Sequence, residues 1–483
     1  MAVVPRPGVA GFGVLAMLSV AALMCGCVPN KAFRTTPGVC ADAGCRTGSI
    51  EVHPVNVDPA TEYLLGVVEF DDQGLKYDAA QMDALFDRLR AESAAQDLCL
   101  VVFVHGWKNN ASYDNGNVKD FRLLLEQLAR TEAQHPPGAW GKPRKVVGIY
   151  AGWRGQSLDA GDISDITFWN RKDAAQRVAL GSIRELLGRA RGLHDTINRT
   201  TWSGKLLPAG ADPPNGEKLR STRLLTTGHS FGGLIVYTAL AQYFTDRVAA
   251  SSTAEALGAT EDQDKLIDAY GDLVVIINPA VEAISWEPVR QLVQGRKATD
   301  YARGQKVVFV EVTSSADDAT GIAFPLGRTL NTATESFVSA GERREANLSF
   351  GHYEPFWTHS LTAAPGAVTK EAAAKAVVAL AEGPRSQTTA ATHAVVLAEC
   401  KAHAAFEAQW RRDGYLQPGW TRRFTDGAVL TQLKDSGFDP NDPFWIVRTD
   451  KSVIADHSDI EEPVFVGFIR QLYDELLFDG GKC

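Results

Sequence analysis

The sequence predicts an α/β protein built on a doubly wound, mostly parallel sheet, and three observations carry that expectation. Seven segments are apolar on nearly every residue, as strands covered on both faces are. Stretches of helical length and amphipathic pattern separate most of them, which is what crossovers between parallel strands require. The chain of 483 residues, 45 % hydrophobic and 22 % charged, has an ordinary globular balance and is long enough to bury a sizeable core. The same balance excludes intrinsic disorder, collagen-like repeats and a disulfide-dense miniprotein. The net charge of −9 comes with no basic stripe, so nucleic acid is not an expected partner.

The elements follow in order. Residues 28–55 read as a linker, and 56–320 as the first part of the core. Strands are expected at 64–70, 98–104, 145–152, 223–228, 273–280 and 306–313, with helices at 79–95, 118–132, 170–190, 234–244 and 284–294. Residues 321–440 are longer than one crossover needs and are expected to form an insertion, a helical cap or lid, with helices at 370–382 and 390–410. A final strand at 444–449 and an amphipathic helix at 464–477 close the core within 441–483.

Residues 1–27 stand apart. One Arg, an apolar stretch and small residues ahead of a cysteine give the layout of an export signal. The glycines that interrupt it argue against a membrane-spanning helix. The run Leu23-Met24-Cys25-Gly26-Cys27 resembles the end of a bacterial lipoprotein signal, although Met24 stands where that family prefers Leu. The resemblance implies cleavage before Cys27, lipid attachment there, and residence in the cell envelope, in the outer membrane or periplasm. Export makes disulfides permissible. Of the seven cysteines, Cys40 with Cys45 and Cys400 with Cys483 are the candidate pairs, while Cys99 sits in an apolar strand as a buried hydrophobe. None has the spacing of a zinc site, and no metal or cofactor is expected.

The chemistry concentrates at Gly228-His229-Ser230-Phe231-Gly232-Gly233, between an apolar strand and a helix. A serine on a tight strand-to-helix turn needs neighbours without side chains two residues away on either side, and the following helix aims its amides at developing negative charge. Ser230 is therefore the candidate nucleophile. In this context the chain resembles the α/β-hydrolase superfamily from about residue 60 onwards, most loosely across 320–440. Within it the chain is similar to bacterial exported esterase- and lipase-like members with an HGW after the third strand. The resemblance implies a Ser–acid–His triad in that order and an oxyanion hole.

Carried over residue by residue, His105-Gly106-Trp107 supplies one oxyanion amide at Trp107, and Phe231 supplies the other. His105 is expected to hold its loop. The acid falls just past the strand ending in Thr313, in TSSADDAT, where Asp317 is preferred over Asp318; Glu282, after the preceding strand, is the third candidate. Asp272 lies at the wrong end of its strand. His457, in the loop after the last strand, is the candidate general base. Trp153, His229 and Tyr353 are candidate substrate contacts, Tyr353 within an aromatic segment, Gly351–His359, that reads as a binding or lid element. The implied activity is hydrolysis of a small-molecule or lipid carboxylic ester. Lipase, thioesterase and amidase chemistries share the triad, and a non-catalytic surface-anchored binding lipoprotein is the alternative of another class.

Overall fold

The protein is described from a computed structural model covering residues 28–42, 44–55, 61–133, 142–157, 168–258, 260–370 and 385–475. The signal with Cys27, the body of the helix expected at 370–382, and Cys483 lie outside the described residues.

The seven expected strands form as β3 (Thr61–Phe70), β4 (Leu98–Val104), β5 (Lys145–Trp153), β6 (Arg223–His229), β7 (Leu273–Ile277), β8 (Phe309–Ser314) and β14 (Phe444–Thr449). Unexpected strands join them: β1 (Thr36–Val39), β2 (Gly48–Val55), β9 (His359–Ala363), β12 (Thr421–Arg423) and β13 (Ala428–Gln432). One twelve-stranded sheet results, in the order β1-β2-β3-β5-β4-β6-β7-β8-β14-β9-β13-β12. From β3 across to β9 every neighbouring pair is parallel. Antiparallel pairing is confined to β2 with β3 at one side, and to β13 with its two neighbours at the other.

The alternation along each strand divides the core into two layers. Leu100, Val102 and Val104 of β4 face a cluster with α1 (Ala79–Ser93), α3 (Phe168–Leu180), α4 (Ile183–Asn198) and α5 (Phe231–Ala256). Val101 and Phe103 face the other way, towards α2 (Gly116–Glu132) and α10 (Pro463–Glu475). This second face is covered more thinly.

Three expectations change. The stretch 28–55 is docked rather than a linker. Arg34 is 1 % exposed, pairs with Glu51 at 2.7 Å and donates from Nε to Ala111 O at 2.8 Å. The Phe33 and Arg34 amides donate to the Glu69 carboxylate. Charged and polar residues at alternate positions of GSIEVHPV hid β2, which pairs antiparallel with β3 and buries Ile50 and Val55 but leaves Val52 exposed. The single helix expected at 170–190 is two, α3 and α4, because the chain turns at Gly181-Ser182 so that the Ser182 amide donates to Gly74 O at 2.7 Å. Finally, beyond α6 (Glu287–Val293), 321–440 is only partly helical: α7 (Phe324–Asn331), α8 (Ala340–Asn347) and α9 (Arg385–Trp410) alternate with β9, β12 and β13 and with the ribbon of β10 (Arg411–Arg412) and β11 (Tyr415–Leu416). Its strands extend the sheet beyond β14, so much of the insertion widens the core sideways instead of capping it.

The disulfide between Cys40 and Cys45 forms as expected. Cys99 is a free, buried thiol. Cys400 is also disulfide-bonded.

Candidate active site

The carboxyl ends of β4, β6, β7, β8 and β14 converge on one cavity, where ligands of open α/β sheets collect. Ser230 follows β6 with φ 58° and ψ −119°, a conformation non-glycine residues rarely hold, and α5 begins at the next residue. The turn is fixed from both sides: the Ser230 amide donates to Ile277 O at 3.0 Å, and Ser230 O accepts from Ala280 N at 3.1 Å. The glycines are a steric requirement. A Cβ on Gly232 would stand 1.9 Å from Val104 O, and one on Gly106 would stand 2.9 Å from the Ser230 Cβ.

The Ser230 hydroxyl donates to His457 Nε2 at 2.8 Å. His457 Nδ1 lies 2.9 Å from Asp317 Oδ1, which sets the proton on Nδ1 and leaves Nε2 as acceptor. Asp317 is 1 % exposed, follows β8, and accepts from the Thr320 amide at 3.0 Å and from the Thr320 hydroxyl. Burial raises its pKa, but His457 and the Thr320 donors outweigh that and hold the carboxyl below its ordinary value. The rival acids are placed elsewhere. Asp318 is exposed. Glu282 is buried against Lys172 Nζ at 2.7 Å, with Arg328 Nε at 3.1 Å. Asp272 is engaged with His194 and Arg223.

Trp107 and Ser230 line the same cavity, and Phe231 opens α5. Neither the Trp107 nor the Phe231 amide has an acceptor among the described residues. Two free N–H groups beside a nucleophile are what an oxyanion needs. His105 holds this loop, as expected: its Nε2 accepts from the Trp153 amide at 3.0 Å, its Nδ1 donates to Gly106 O at 2.8 Å, and burial pushes its pKa down to about 4.

Of the three expected substrate contacts, His229 lines the cavity, but its Nε2 donates to His457 O at 2.7 Å, so the ring is spent on holding the His457 loop. Burial, and then the neighbouring His457, push its pKa down to about 3, so it stays neutral. Trp153 and Tyr353 are not among the described lining residues. The Trp153 indole donates to His105 O at 2.9 Å and so holds the His105 loop from which Trp107 lines the cavity, while the Tyr353 hydroxyl donates to Glu345 of a neighbouring helix at 3.1 Å. Phe168 and Trp169, from α3, supply the aromatic wall instead.

Sequence reading missed three supporting residues. Asn278, at φ 44°, donates from Nδ2 to His457 O at 2.9 Å and accepts the Ser314 amide at 3.0 Å, tying the histidine loop to the end of β8. Asn tolerates this left-handed conformation, and Asn-Pro after an apolar run was the available signal. Thr320 and His352 continue the line behind the acid. The Thr320 hydroxyl, spent on Asp317, accepts from His352 Nε2 at 3.1 Å, and His352 Nδ1 accepts from Arg448 at 3.4 Å. Burial, with Arg448 adding to it, holds His352 down to about 4, so it stays neutral at physiological pH. Behind them Glu311 is buried in mid-strand, its pKa pushed up to about 8 by burial against the opposing effect of the Thr313 hydroxyl.

On the opposite wall stand Asn117, Asp120 and Glu461. Partial desolvation, and then the Asp120 charge, push the Glu461 carboxyl up to about 7 although the residue keeps contact with solvent. No group of three or more metal-ligating side chains occurs among the described residues.

No protein-family model matches the chain, and no curated protein is significantly similar to it. Among solved structures it is similar to an uncharacterized protein from Pseudomonas aeruginosa at 10 % identity, over 74 % of this chain and 62 % of that one, with a TM-score of 0.19. The chain thus spans less than two thirds of that protein's length, and a likeness this slight bears on neither fold nor function.

Proposed function

We propose that the protein is a serine hydrolase of the α/β-hydrolase superfamily that cleaves carboxylic esters through an acyl-enzyme. One observation carries the reading: Ser230 sits on a left-handed strand-to-helix turn with its hydroxyl 2.8 Å from His457 Nε2, and the other nitrogen of that ring is 2.9 Å from buried Asp317.

The steps follow from this geometry. Ser230 Oγ attacks the ester carbonyl carbon while His457 Nε2 takes its proton. The oxyanion settles on the Trp107 and Phe231 amides, each worth about 3–4 kcal/mol of transition-state stabilisation in comparable sites. Collapse breaks the bond to the alcohol oxygen, which takes the proton from His457. Water then attacks the acyl-serine with His457 as base, releasing the acid and restoring Ser230. Asp317 keeps the ring in the required tautomer and stabilises it while charged. No step calls on a metal or cofactor. Thioesters and amides fit the same machinery.

The deciding experiment treats the protein with a fluorophosphonate and locates the adduct by mass spectrometry. Stoichiometric labelling at Ser230 is expected, and a folded protein that takes no label would overturn the reading in favour of a binding protein on a hydrolase-like scaffold.

Thr320 gives a further expected result. Thr320→Val removes one donor to the Asp317 carboxylate, worth about tenfold in kcat/KM for a hydrogen bond to a charged group. Asp317 then keeps its proton to higher pH, so activity on the acid side disappears at higher pH than in the wild type. Thr320→Ser restores both properties, and kinetics from pH 4 to 9 across the three proteins checks the point.

Export and lipid anchoring at Cys27 are proposed with this function. Val28 is pinned beside the carboxyl end of β5, its amide donating to Ser157 O and its carbonyl accepting from Arg154, both at 2.9 Å. An anchor on the preceding residue would hold the active-site edge of the sheet close to the membrane. No helix among the described residues is long and apolar enough to cross one.

A further inference from the structure

A second cavity of about 160 Å³ lies on the thinly covered face of the sheet, between α2 and α10. Its floor is the centre of the sheet: Phe103 of β4, Leu225 and Thr227 of β6, and Ile277 of β7. These residues are 6–8 % exposed, whereas Leu224 and Val275, on the same strands, are completely buried. Leu124 and Leu128 of α2 form one wall and Val466 and Ile469 of α10 the other, each pair at helical spacing on one face. The slot is therefore mostly apolar, with Gln127 and Arg470 also lining it.

It adjoins the active-site cavity. Asn117, Asp120 and Glu461 line both. Thr227 precedes Ser230 by three residues on β6, so the floor begins roughly 10 Å from the nucleophile at about 3.3 Å per residue. Glu461 is exposed and Asp120 half-buried, so the passage is bounded on that side by movable side chains and not by backbone.

We propose that this slot receives the acyl chain of the substrate, so that the preferred ester carries an unbranched aliphatic acid long enough to pass Asp120 and Glu461 and lie between α2 and α10. The assignment rests on the ester-hydrolase reading. Its physical basis is the geometry of a narrow groove with parallel apolar walls, which suits a flexible chain better than a ring. Each methylene moved from water into such a slot favours binding by about fourfold, at about 0.8 kcal/mol per methylene. A chain of two carbons ends in the polar cavity and gains nothing.

The test uses p-nitrophenyl esters from acetate to decanoate with the wild-type chain and with Val466→Trp and Leu128→Trp, two half-buried wall positions where an indole fills the slot. The wild type is expected to gain about fifteenfold in kcat/KM per added pair of carbons once the chain passes the neck. Each Trp variant should lower the decanoate-to-acetate ratio at least tenfold with an unchanged thermal melt. A second measurement does not depend on turnover: decanoate is titrated into Ser230→Ala, and binding should be lost when Val466→Trp is added. Equal use of acetate and decanoate by the wild type, or an unchanged ratio in folded Trp variants, overturns the slot while leaving the hydrolase reading intact. Absent turnover and labelling at Ser230 overturn the hydrolase reading, and decanoate binding still decides whether the slot takes an aliphatic chain.

Discussion

Asp317→Asn is expected to lower kcat/KM for an ester by about 10⁴ without disturbing the fold, about a hundredfold less than the loss of about 10⁶ expected for Ser230→Ala. The reason lies in the direction of one hydrogen bond. Asp317 Oδ1 stands 2.9 Å from His457 Nδ1 and can only accept. An amide in its place can present N–H to the ring, which moves the imidazole proton to Nε2 and turns the acceptor for the Ser230 hydroxyl into a donor. The remaining anchors of the loop do not depend on the carboxylate: His457 O keeps its bonds from His229 at 2.7 Å and Asn278 at 2.9 Å, and the Ser314 hydroxyl still donates to Ile454 O at 2.7 Å. The tautomer is therefore lost while the position of the ring is kept. Asp318→Asn is the matched control, because Asp318 is exposed and should change turnover by less than about threefold. Steady-state kinetics on the three proteins decide it, and an Asp317→Asn protein with near wild-type turnover would remove Asp317 from the triad.

Chemistry that depends on local sequence was legible, and chemistry that depends on distant packing was not. The strands from β3 to β8, the elbow around Ser230, the HG loop and the place of Asp317 after β8 could be read because each is a short local pattern, although α3 and α4 read as one helix. His457 was singled out from its place after the last strand, and the fold brings it beside Ser230. The residues that hold these groups come from elsewhere in the chain. Asn278 is distant in sequence from the histidine loop it ties down, and His352 from the Thr320 it supports, so no local spacing marked them. Tyr353 failed for the same reason: an aromatic segment rich in histidine suggested a ligand, but its ring packs on Phe356 with centroids 4.7 Å apart. The edges of the sheet were also hidden, since β2 carries Glu51 and His53 that read as solvent-facing until Arg34 and Arg122 are seen to cover Glu51. The apolar slot could not be seen as a run because its walls are every third or fourth residue of two helices far apart in sequence.

The rejected acid makes the largest stability prediction. Glu282 ends the loop after β7 and is buried, with Lys172 of α3 at 2.7 Å and Arg328 of α7 at 3.1 Å. Glu282→Ala leaves two cations facing each other, Lys172 2 % exposed, with no carboxylate between them. Breaking a buried pair from one side in this way costs about 3–5 kcal/mol, against a total of about 5–15 kcal/mol for a typical domain. The loss should appear in urea unfolding as a lower midpoint at an unchanged slope. The double variant Glu282→Leu with Lys172→Met removes both charges and fills the space, so it should recover most of the deficit, Arg328 being free to turn to solvent from its 18 % exposed position. The same triad of charges also supports the active site. Lys172 is on the helix whose Phe168 and Trp169 line the cavity, and α7 packs its Gly327 against the Trp169 ring so closely that an added Cβ would stand 2.0 Å from it. Glu282→Ala should therefore raise KM for an ester before it changes kcat, since the groups that move are the walls and not the triad. A Glu282→Ala protein that loses less than about 1 kcal/mol would mean that aromatic packing alone fixes those walls and that the buried ion pair is dispensable.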